Sequence, residues 1–384
     1  MVSKVADAPS EFLILFPLPQ RCILLIIAGM WLWLWQTTIM HRCFHIDVSQ
    51  FVLSHDPYEA LPQPSVTRQT EATRRVVTRL TKIIVPWCAA TSLLLSECTK
   101  IQAYAPPVWA VCLLNIQPLC QFIFIFATIC SYSPMVSRCL RRIMCMGNIE
   151  PKPLRLNYIL ITDSLTSYSK PLIDFGFYLC HLVLDPLNEA CIISRSPIGT
   201  AINLDLAIGS APVLLRLMQC LREWGRSKYA KDGRSSLFNA LKYSMHIPIV
   251  LCTVYSRSYP SAKPGNHIYW LMLVNSSYSL WWDLTMDWNL GIFDFSLHGM
   301  NRNEMLRSRK AFPNYMYYFA MCADFALRFV WLWELLAGRS VFEGETNIFF
   351  LQSLEILRRW IWIFIKLEAE AINSDIPEKN YNIE

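Results

Sequence analysis

Residues 20–40 read QRCILLIIAGMWLWLWQTTIM, with no charged side chain between Arg21 and His41. A helix crossing the hydrocarbon of a bilayer needs roughly 20 mostly apolar residues, and this run supplies them. Trp31, Trp33 and Trp35 give it the aromatic content that favours interface anchoring and packing. Comparable runs recur at 80–98, 107–131, 157–184, 200–222, 238–257, 267–290, 313–337 and 347–368. With the first they predict about nine transmembrane helices in an all-α, polytopic bundle. Apolar residues make up 54% of the chain and charged residues 17%, a balance that suits lipid and not a soluble domain. The first run follows no signal-peptide pattern, so it is expected to remain as an anchor.

The basic residues test this reading independently, because Lys and Arg are retained on the cytoplasmic side of short loops. The first connection carries Arg42, Arg68, Arg74, Arg75, Arg79 and Lys82, and the second only Lys100. The third holds Arg138, Arg141, Arg142, Lys152 and Arg155; the fourth holds Arg195. Next come Arg222, Arg226, Lys228, Lys231 and Arg234, then Arg257 and Lys263, then Arg302, Arg307, Arg309 and Lys310, and last Arg339. Rich and poor connections alternate. The expected orientation has a lumenal N-terminus and a cytosolic C-terminus. A net charge of +6, dispersed in these short groups, forms no contiguous nucleic-acid patch, and no nucleic-acid partner is expected. The fourteen cysteines lie mostly inside apolar runs without a CxxC pair, which predicts free, buried thiols. Residues 54–73 and the tail after Asn373 are polar enough to be expected disordered.

Ionisable residues inside the spans carry the chemistry, since each costs roughly 2.5–3.5 kcal/mol at mid-bilayer on insertion scales. Asp163, Lys170 and Asp174 share one helical stripe by spacing, and Asp205 and Arg216 share another. Lys242 and Tyr243 open the sixth span, Asp283 and Asp287 form an i, i+4 carboxylate pair in the seventh, and Asp324 precedes Arg328 by one turn in the eighth. Glu355, Arg358 and Arg359 lie in the last span; adjacent residues diverge by about 100°, so at most one of these arginines points straight down a central axis. Arg216, Lys242, Arg328 and either Arg358 or Arg359, turned inward, would offer a tetrahedral oxyanion charge and paired hydrogen bonds. The carboxylates would hold the arginines and keep the anion exchangeable. The bland alternative is a structural ion pair, such as Asp324 with Arg328, or snorkelling of Lys242 and Arg222.

Several segments carry a resemblance to a known family. Trp281-Trp282-Asp283-Leu284-Thr285-Met286-Asp287-Trp288, preceded by Asn275 and Tyr278-Ser279, is similar to the signature of the EXS domain. Leu354-Glu355-Ile356-Leu357-Arg358-Arg359-Trp360-Ile361-Trp362 resembles that family's closing helix. Arg216-Leu217-Met218-Gln219-Cys220-Leu221-Arg222, Asn239-Ala240-Leu241-Lys242-Tyr243-Ser244, Leu327-Arg328-Phe329-Val330-Trp331 and the weaker Thr162-Asp163-Ser164-Leu165 follow the same order as in the family. The family comprises phosphate exporters. By motif position the resemblance implies phosphate ligands at Asp163, Arg216, Lys242, Tyr243, Asp283, Asp287, Arg328, Arg358 and Arg359, and a gating aromatic at Trp331. It divides the chain into 1–155, an N-terminal membrane region of three helices with a polar cytosolic loop; 156–372, an EXS domain whose six helices form the substrate pathway; and 373–384, a cytosolic tail. Only about twenty residues precede the first span, so the cytosolic SPX domain of larger relatives is expected to be missing. The short form, with Phe16-Pro17-Leu18-Pro19-Gln20-Arg21, resembles the ER-retention-defective branch of Golgi phosphate transporters. That branch implies return of phosphate from Golgi lumen to cytosol after glycosylation, support for glycosyltransferase retention, and contacts with glycosyltransferases or a homodimeric partner.

Other signals are weaker. His41, Cys43 and His45 lack an evident fourth ligand, and no metal or cofactor is expected. Asn275-Ser276-Ser277 spells a glycosylation sequon but lies within a span. Two rival functions are a non-transporting Golgi sorting scaffold, and a transferase with a metal gripped by Asp283 and Asp287. Neighbouring arginines disfavour a bound cation there, and an enzyme is not expected.

Overall fold

The computed structural model describes residues 10–55, 63–100, 107–145, 154–188, 190–195, 203–226, 231–259, 267–292, 306–307, 309–338 and 340–374. Residues 56–62 and 375–384, within the two segments expected to be disordered, lie outside them, as do Lys152, Lys228, Lys263, Arg302 and Arg339. All regular structure among the described residues is helical.

A short helix α1 (Glu11–Leu15) is capped by Ser10, whose Oγ accepts from Leu13 N at 3.3 Å. Phe16-Pro17 ends it, and Pro19 sits in the first turn of α2 (Leu18–Phe44), where a missing N–H costs nothing. Helix α3 (Val66–Lys100) starts well before the expected span, so residues 66–73 are helical and not disordered. Buried Val66, Val77, Leu80, Ile84, Cys88 and Leu95 mark its inner stripe. Next come α4 (Val108–Tyr132) and the short basic helix α5 (Pro134–Cys145).

The remaining columns are interrupted. The fourth is α6 (Arg155–Ser167) and α7 (Ser169–Leu184), meeting at Tyr168. The sixth is α9 (Lys231–Ser244) and α10 (His246–Ser258), meeting at Met245 after the continuous α8 (Leu204–Arg226). In both, a proline lies four residues beyond the last residue of the first helix: Pro171 after Ser167, Pro248 after Ser244. Its ring clashes with the i−4 carbonyl and removes that hydrogen bond, so the helix breaks there. Helix α11 (His267–Trp282) passes into a π-helical turn at Asp283–Asp287, and α12 (Asn314–Arg328) is separated from α13 (Val330–Ala337) at Phe329. The last helix, α14 (Gly344–Ser374), is continuous.

By length and apolarity five helices qualify as membrane spans: Leu18–Phe44, Val66–Thr99, Val108–Tyr132, Leu204–Arg226 and Arg234–Ser258, the last running across the bend at Met245. The other four expected spans coincide with the α6–α7, α11, α12–α13 and α14 columns, where breaks shorten the helices or charges enter them. The protein is thus a multi-pass, helical membrane protein. Its surface agrees: Trp109, Leu113, Ile116 and Ile123 on α4 and Tyr315, Phe319 and Phe325 on α12 are exposed, the side chains a lipid solvent would cover. Thirteen described cysteines are in no disulfide, with Cys22, Cys88, Cys139, Cys180, Cys191 and Cys220 buried and others, such as Cys112 and Cys120, at this apolar surface.

Small residues bring α7 and α8 together. A Cβ on Gly176 would stand 2.6 Å from Asp205 Cα, and one on Gly209 2.3 Å from Ile173 Cγ1. Such close backbone approach is how membrane helices gain packing without a hydrophobic drive between them. It also fixes the height of Arg216, seven residues along α8 from Gly209. Two apolar clusters bracket the polar middle. One gathers Met40, Trp288, Phe312, Tyr317, Trp362 and Phe364; the other Cys22, Leu95, Leu114, Phe175, Tyr178 and Ile192.

Candidate functional site

Between these clusters the charged side chains of separate columns converge. Asp163 on α6 is 1% exposed and accepts from Arg216 Nε of α8 at 2.8 Å and from Tyr243 OH of α9 at 2.6 Å. Arg216 Nη1 donates to Gln219 Oε1 at 2.9 Å, and Thr162 Oγ1 donates to the same oxygen at 3.1 Å. Three helices are thereby tied through one carboxylate and one amide.

The second knot centres on Asp283, also 1% exposed, at the start of the π-helical turn. Lys242 Nζ donates to Asp283 Oδ1 at 2.8 Å and lies 3.5 Å from Asp287 Oδ2, so one ammonium bridges both ends of the turn. Arg328 reaches the other oxygen of Asp283, and Arg358 Nη1 stands 3.8 Å from it. Asp324 is shared between Arg358 at 3.1 Å and Arg328 at 3.4 Å, and Glu355 accepts from Arg358 Nη2 at 2.5 Å. Three cations around Asp283 make that carboxylate a poor partner for a metal ion.

Arg359 differs. Its hydrogen-bond partners among the described residues are hydroxyls: Nε donates to Ser167 Oγ at 3.0 Å and Nη2 to Thr166 Oγ1 at 3.2 Å, while the guanidinium carbon lies 4.6 Å from the centre of the Trp362 ring. Among the described residues no carboxylate lies within ion-pair distance of it, although the side chain is buried. A guanidinium held by neutral acceptors keeps its charge available to an anion. Buried Arg328 Nε, Asp324 Oδ2 and Gln219 Nε2 also have no hydrogen-bond partner among the described residues, which leaves both donors and acceptors for a polar guest.

Helix interruptions place these groups. Ser167 precedes the break at Tyr168, Lys242 and Tyr243 precede that at Met245, Asp283 and Asp287 bound the π-helical turn, and Arg328 precedes the break at Phe329. Irregular backbone at membrane depth is tolerated where it is buried in protein or lines a cavity, and π-turns collect at functional positions. Trp331, three residues past Arg328 and just beyond the Phe329 break, donates from Nε1 to Ser276 Oγ of α11 at 3.2 Å. It straddles the seam between α11 and α13.

Thr166 Oγ1 donates to Asp163 O at 2.7 Å and Ser167 Oγ to Glu355 Oε1 at 3.4 Å, so the Arg359 partners join both knots and all nine ligand positions expected from the sequence fall in one connected network. Both Arg358 and Arg359 belong to it. They serve different walls: α14 turns Arg358 toward Asp324 on α12 and Arg359 toward the α6–α7 break. Lys170, Asp174 and Asp205 stand apart from it. Asp205 pairs with Arg257 of α10 at 2.8 Å, so its shared stripe with Arg216 serves two different contacts. Ser167, Thr166 and Gln219 belong to the site but went unmarked in the sequence, since Ser, Thr and Gln are common in polar positions of membrane helices; a hydroxyl just before a proline-induced break is the signal that could have found Ser167.

Comparison with known proteins agrees with the motifs. The model of the EXS family matches residues 16–372. The chain belongs to the EXS family. Protein ERD1 of Kluyveromyces lactis is 41% identical over 377 residues, covering 96% of this chain and 97% of that one. Protein ERD1 of Saccharomyces cerevisiae is 35% identical over 92% of each chain. A longer EXS relative, Solute carrier family 53 member 1 of Mus pahari, is 27% identical over 232 residues, 56% of this chain and 32% of that protein.

Proposed function

We propose that this EXS protein carries inorganic phosphate across its membrane through the chamber built within residues 156–372, returning phosphate released by glycosylation from Golgi lumen to cytosol. The observation that carries the reading is Arg359: a buried guanidinium satisfied by the Ser167 and Thr166 hydroxyls and not by a carboxylate, beside the Arg328 and Arg358 guanidiniums that Asp283 and Asp324 hold. Arg216, Lys242, Arg328, Arg358 and Arg359 are balanced in number by Asp163, Asp283, Asp287, Asp324 and Glu355. An arriving anion competes with carboxylates for donors that are already aligned, so it binds without being trapped, as conduction requires.

Guanidinium forks favour tetrahedral oxyanions over chloride, because a spherical ion uses paired N–H donors poorly. The breaks at Tyr168 and Phe329 supply places for the two walls to move, with Trp331 closing one route. Secondary transporters bind at such helix interruptions near mid-membrane. Retention of glycosyltransferases follows in this reading from the transport itself and requires no scaffold.

The test is flux of labelled phosphate into sealed proteoliposomes holding the purified protein, beside Arg328→Ala and Arg359→Ala. The expected result is saturable uptake by the wild type, resistant to excess chloride, and its loss in both variants. Unchanged flux in both variants sinks the assignment of the site; wild-type vesicles no faster than empty ones sink the function.

A further inference from the structure

A second charged cluster lies where α2 and α14 begin and the α7–α8 connection passes. Arg195 Nη2 is 3.0 Å from Asp174 Oδ1 and 3.0 Å from Glu345 Oε2; fully buried Arg21 reaches Glu345 at 2.5 Å and Asp174 at 3.9 Å. Gln352 Nε2 donates to Asp174 Oδ2 at 2.8 Å. Asp174, Arg195 and Gln352 border a cavity of about 260 Å³ that Lys170 also lines, with Ile173 and Leu351 as apolar walls. Water takes roughly 30 Å³ per molecule in the liquid, so the volume admits a tetrahedral anion with several waters.

The charge there is not balanced. Lys170 and Arg195 line it against one carboxylate, Asp174, and the neighbouring Arg21–Glu345 pair adds no net charge. Lys170 is exposed, has no carboxylate within ion-pair distance among the described residues, and lies within electrostatic reach of Glu355 in the central chamber. Buried Arg195 Nε, Arg21 Nη2 and Gln352 Oε1 have no hydrogen-bond partner among the described residues. In the lining Arg195 Nε is a spare donor and Asp174 Oδ1 and Gln352 Oε1 are spare acceptors, so with its excess positive charge the cavity suits a protonated oxyanion, which accepts from the first and donates to the others.

Two facing walls connect this cavity to the chamber. On α14, Gln352, Glu355 and Arg359 recur at i, i+3 and i+7 on one face, a rise of about 10 Å at ~1.5 Å per residue. Opposite them, Asp174 meets Gln352 and Ser167 holds Arg359. We propose that the cavity is a second anion site, taking a tetrahedral oxyanion of the phosphate class between Lys170 and Arg195, an antechamber about 10 Å from the central site. Its role as antechamber rests on the transport reading above; its occupancy does not.

Equilibrium binding of inorganic phosphate to the full chain in detergent separates the two. Wild type is expected to bind two phosphates per chain, Arg359→Gln to keep one, and Lys170→Gln to weaken the other at least tenfold. Lys170 is exposed and unpaired, so its replacement leaves the buried pairs intact; Arg195→Gln is the second variant. One phosphate per chain, lost in Arg359→Gln and unaffected by Lys170→Gln and Arg195→Gln, overturns the antechamber and leaves the transport site standing. One phosphate that survives Arg359→Gln and disappears in Lys170→Gln upholds the second site and removes the central one. No binding by wild type overturns both. In sealed proteoliposomes Lys170→Gln is expected to raise half-saturating phosphate about tenfold from the side on which α14 begins and to leave it unchanged from the other; an equal rise from both sides overturns the placement.

Discussion

Glu368 and Arg359 lie nine residues apart on α14, both buried, and the two neighbourhoods use charge in opposite ways. Glu368, with no exposed surface, accepts from Tyr317 OH at 2.5 Å and Ala311 N at 3.0 Å and pairs with Arg307. Its acceptors are engaged by groups from α12 and from the segment leading into it. Arg359 has hydroxyls as its hydrogen-bond partners among the described residues, on a wall that is broken one residue beyond Ser167. A closed ion pair fastens an element; a charge held by neutral groups at a helix break is positioned to receive another charge. Sequence spacing does not separate the two cases, since both are ionisable residues on the same helix.

The sharpest way to break this comparison is Glu368→Ala. It leaves Arg307 and Tyr317 without their shared acceptor, and loss of one member of a buried pair costs about 3–5 kcal/mol. The expected outcome is a large drop in the thermal midpoint of the detergent-solubilised protein and poor recovery from the membrane. Arg359→Gln should do the reverse: a thermal midpoint close to wild type, with phosphate flux lower by roughly 10- to 100-fold, the worth of one charge-assisted hydrogen bond at about 1.5–3 kcal/mol. If Arg359→Gln unfolds the protein as Glu368→Ala does, the distinction collapses.

A smaller effect is expected at the α7–α8 seam. Gly209→Leu forces Ile173 aside, and overpacking costs about 1–3 kcal/mol. Because α8 carries Arg216, flux and thermal midpoint should fall together, measured on the same preparation. The mildest change is Ser167→Ala, which removes one hydroxyl from Arg359. A single hydrogen bond contributes about 1 kcal/mol, so half-saturating phosphate should shift several-fold while maximal flux and stability stay near wild type.

Much of the charged network was legible because an arginine or aspartate inside an apolar run has few innocuous explanations: Asp163, Arg216, Asp283 and Arg328 stand out on hydropathy alone. Which arginine of the Arg358-Arg359 pair turns inward was not legible. The 100° between neighbours lets at most one point straight down a central axis, and in the structure α12 and the α6–α7 break, on different sides of α14, take one each. Helical spacing put Asp205 on the Arg216 stripe, yet spacing says nothing of what stands opposite, and Arg257 claims Asp205. The interruptions at Tyr168 and Met245 were written in Pro171 and Pro248, but Pro86, Pro118 and Pro212 sit inside helices that continue, so a proline alone does not decide.

The central claim, that cations from several columns meet one anion at the α6–α7 break, is tested most directly by a density map of the purified protein in inorganic phosphate, compared with one in chloride. The account predicts a tetrahedral density, present only with phosphate, within hydrogen-bond distance of Arg359 and of Arg328 or Arg358. No phosphate density at Arg359, with its guanidinium unchanged on Ser167 and Thr166, would contradict it.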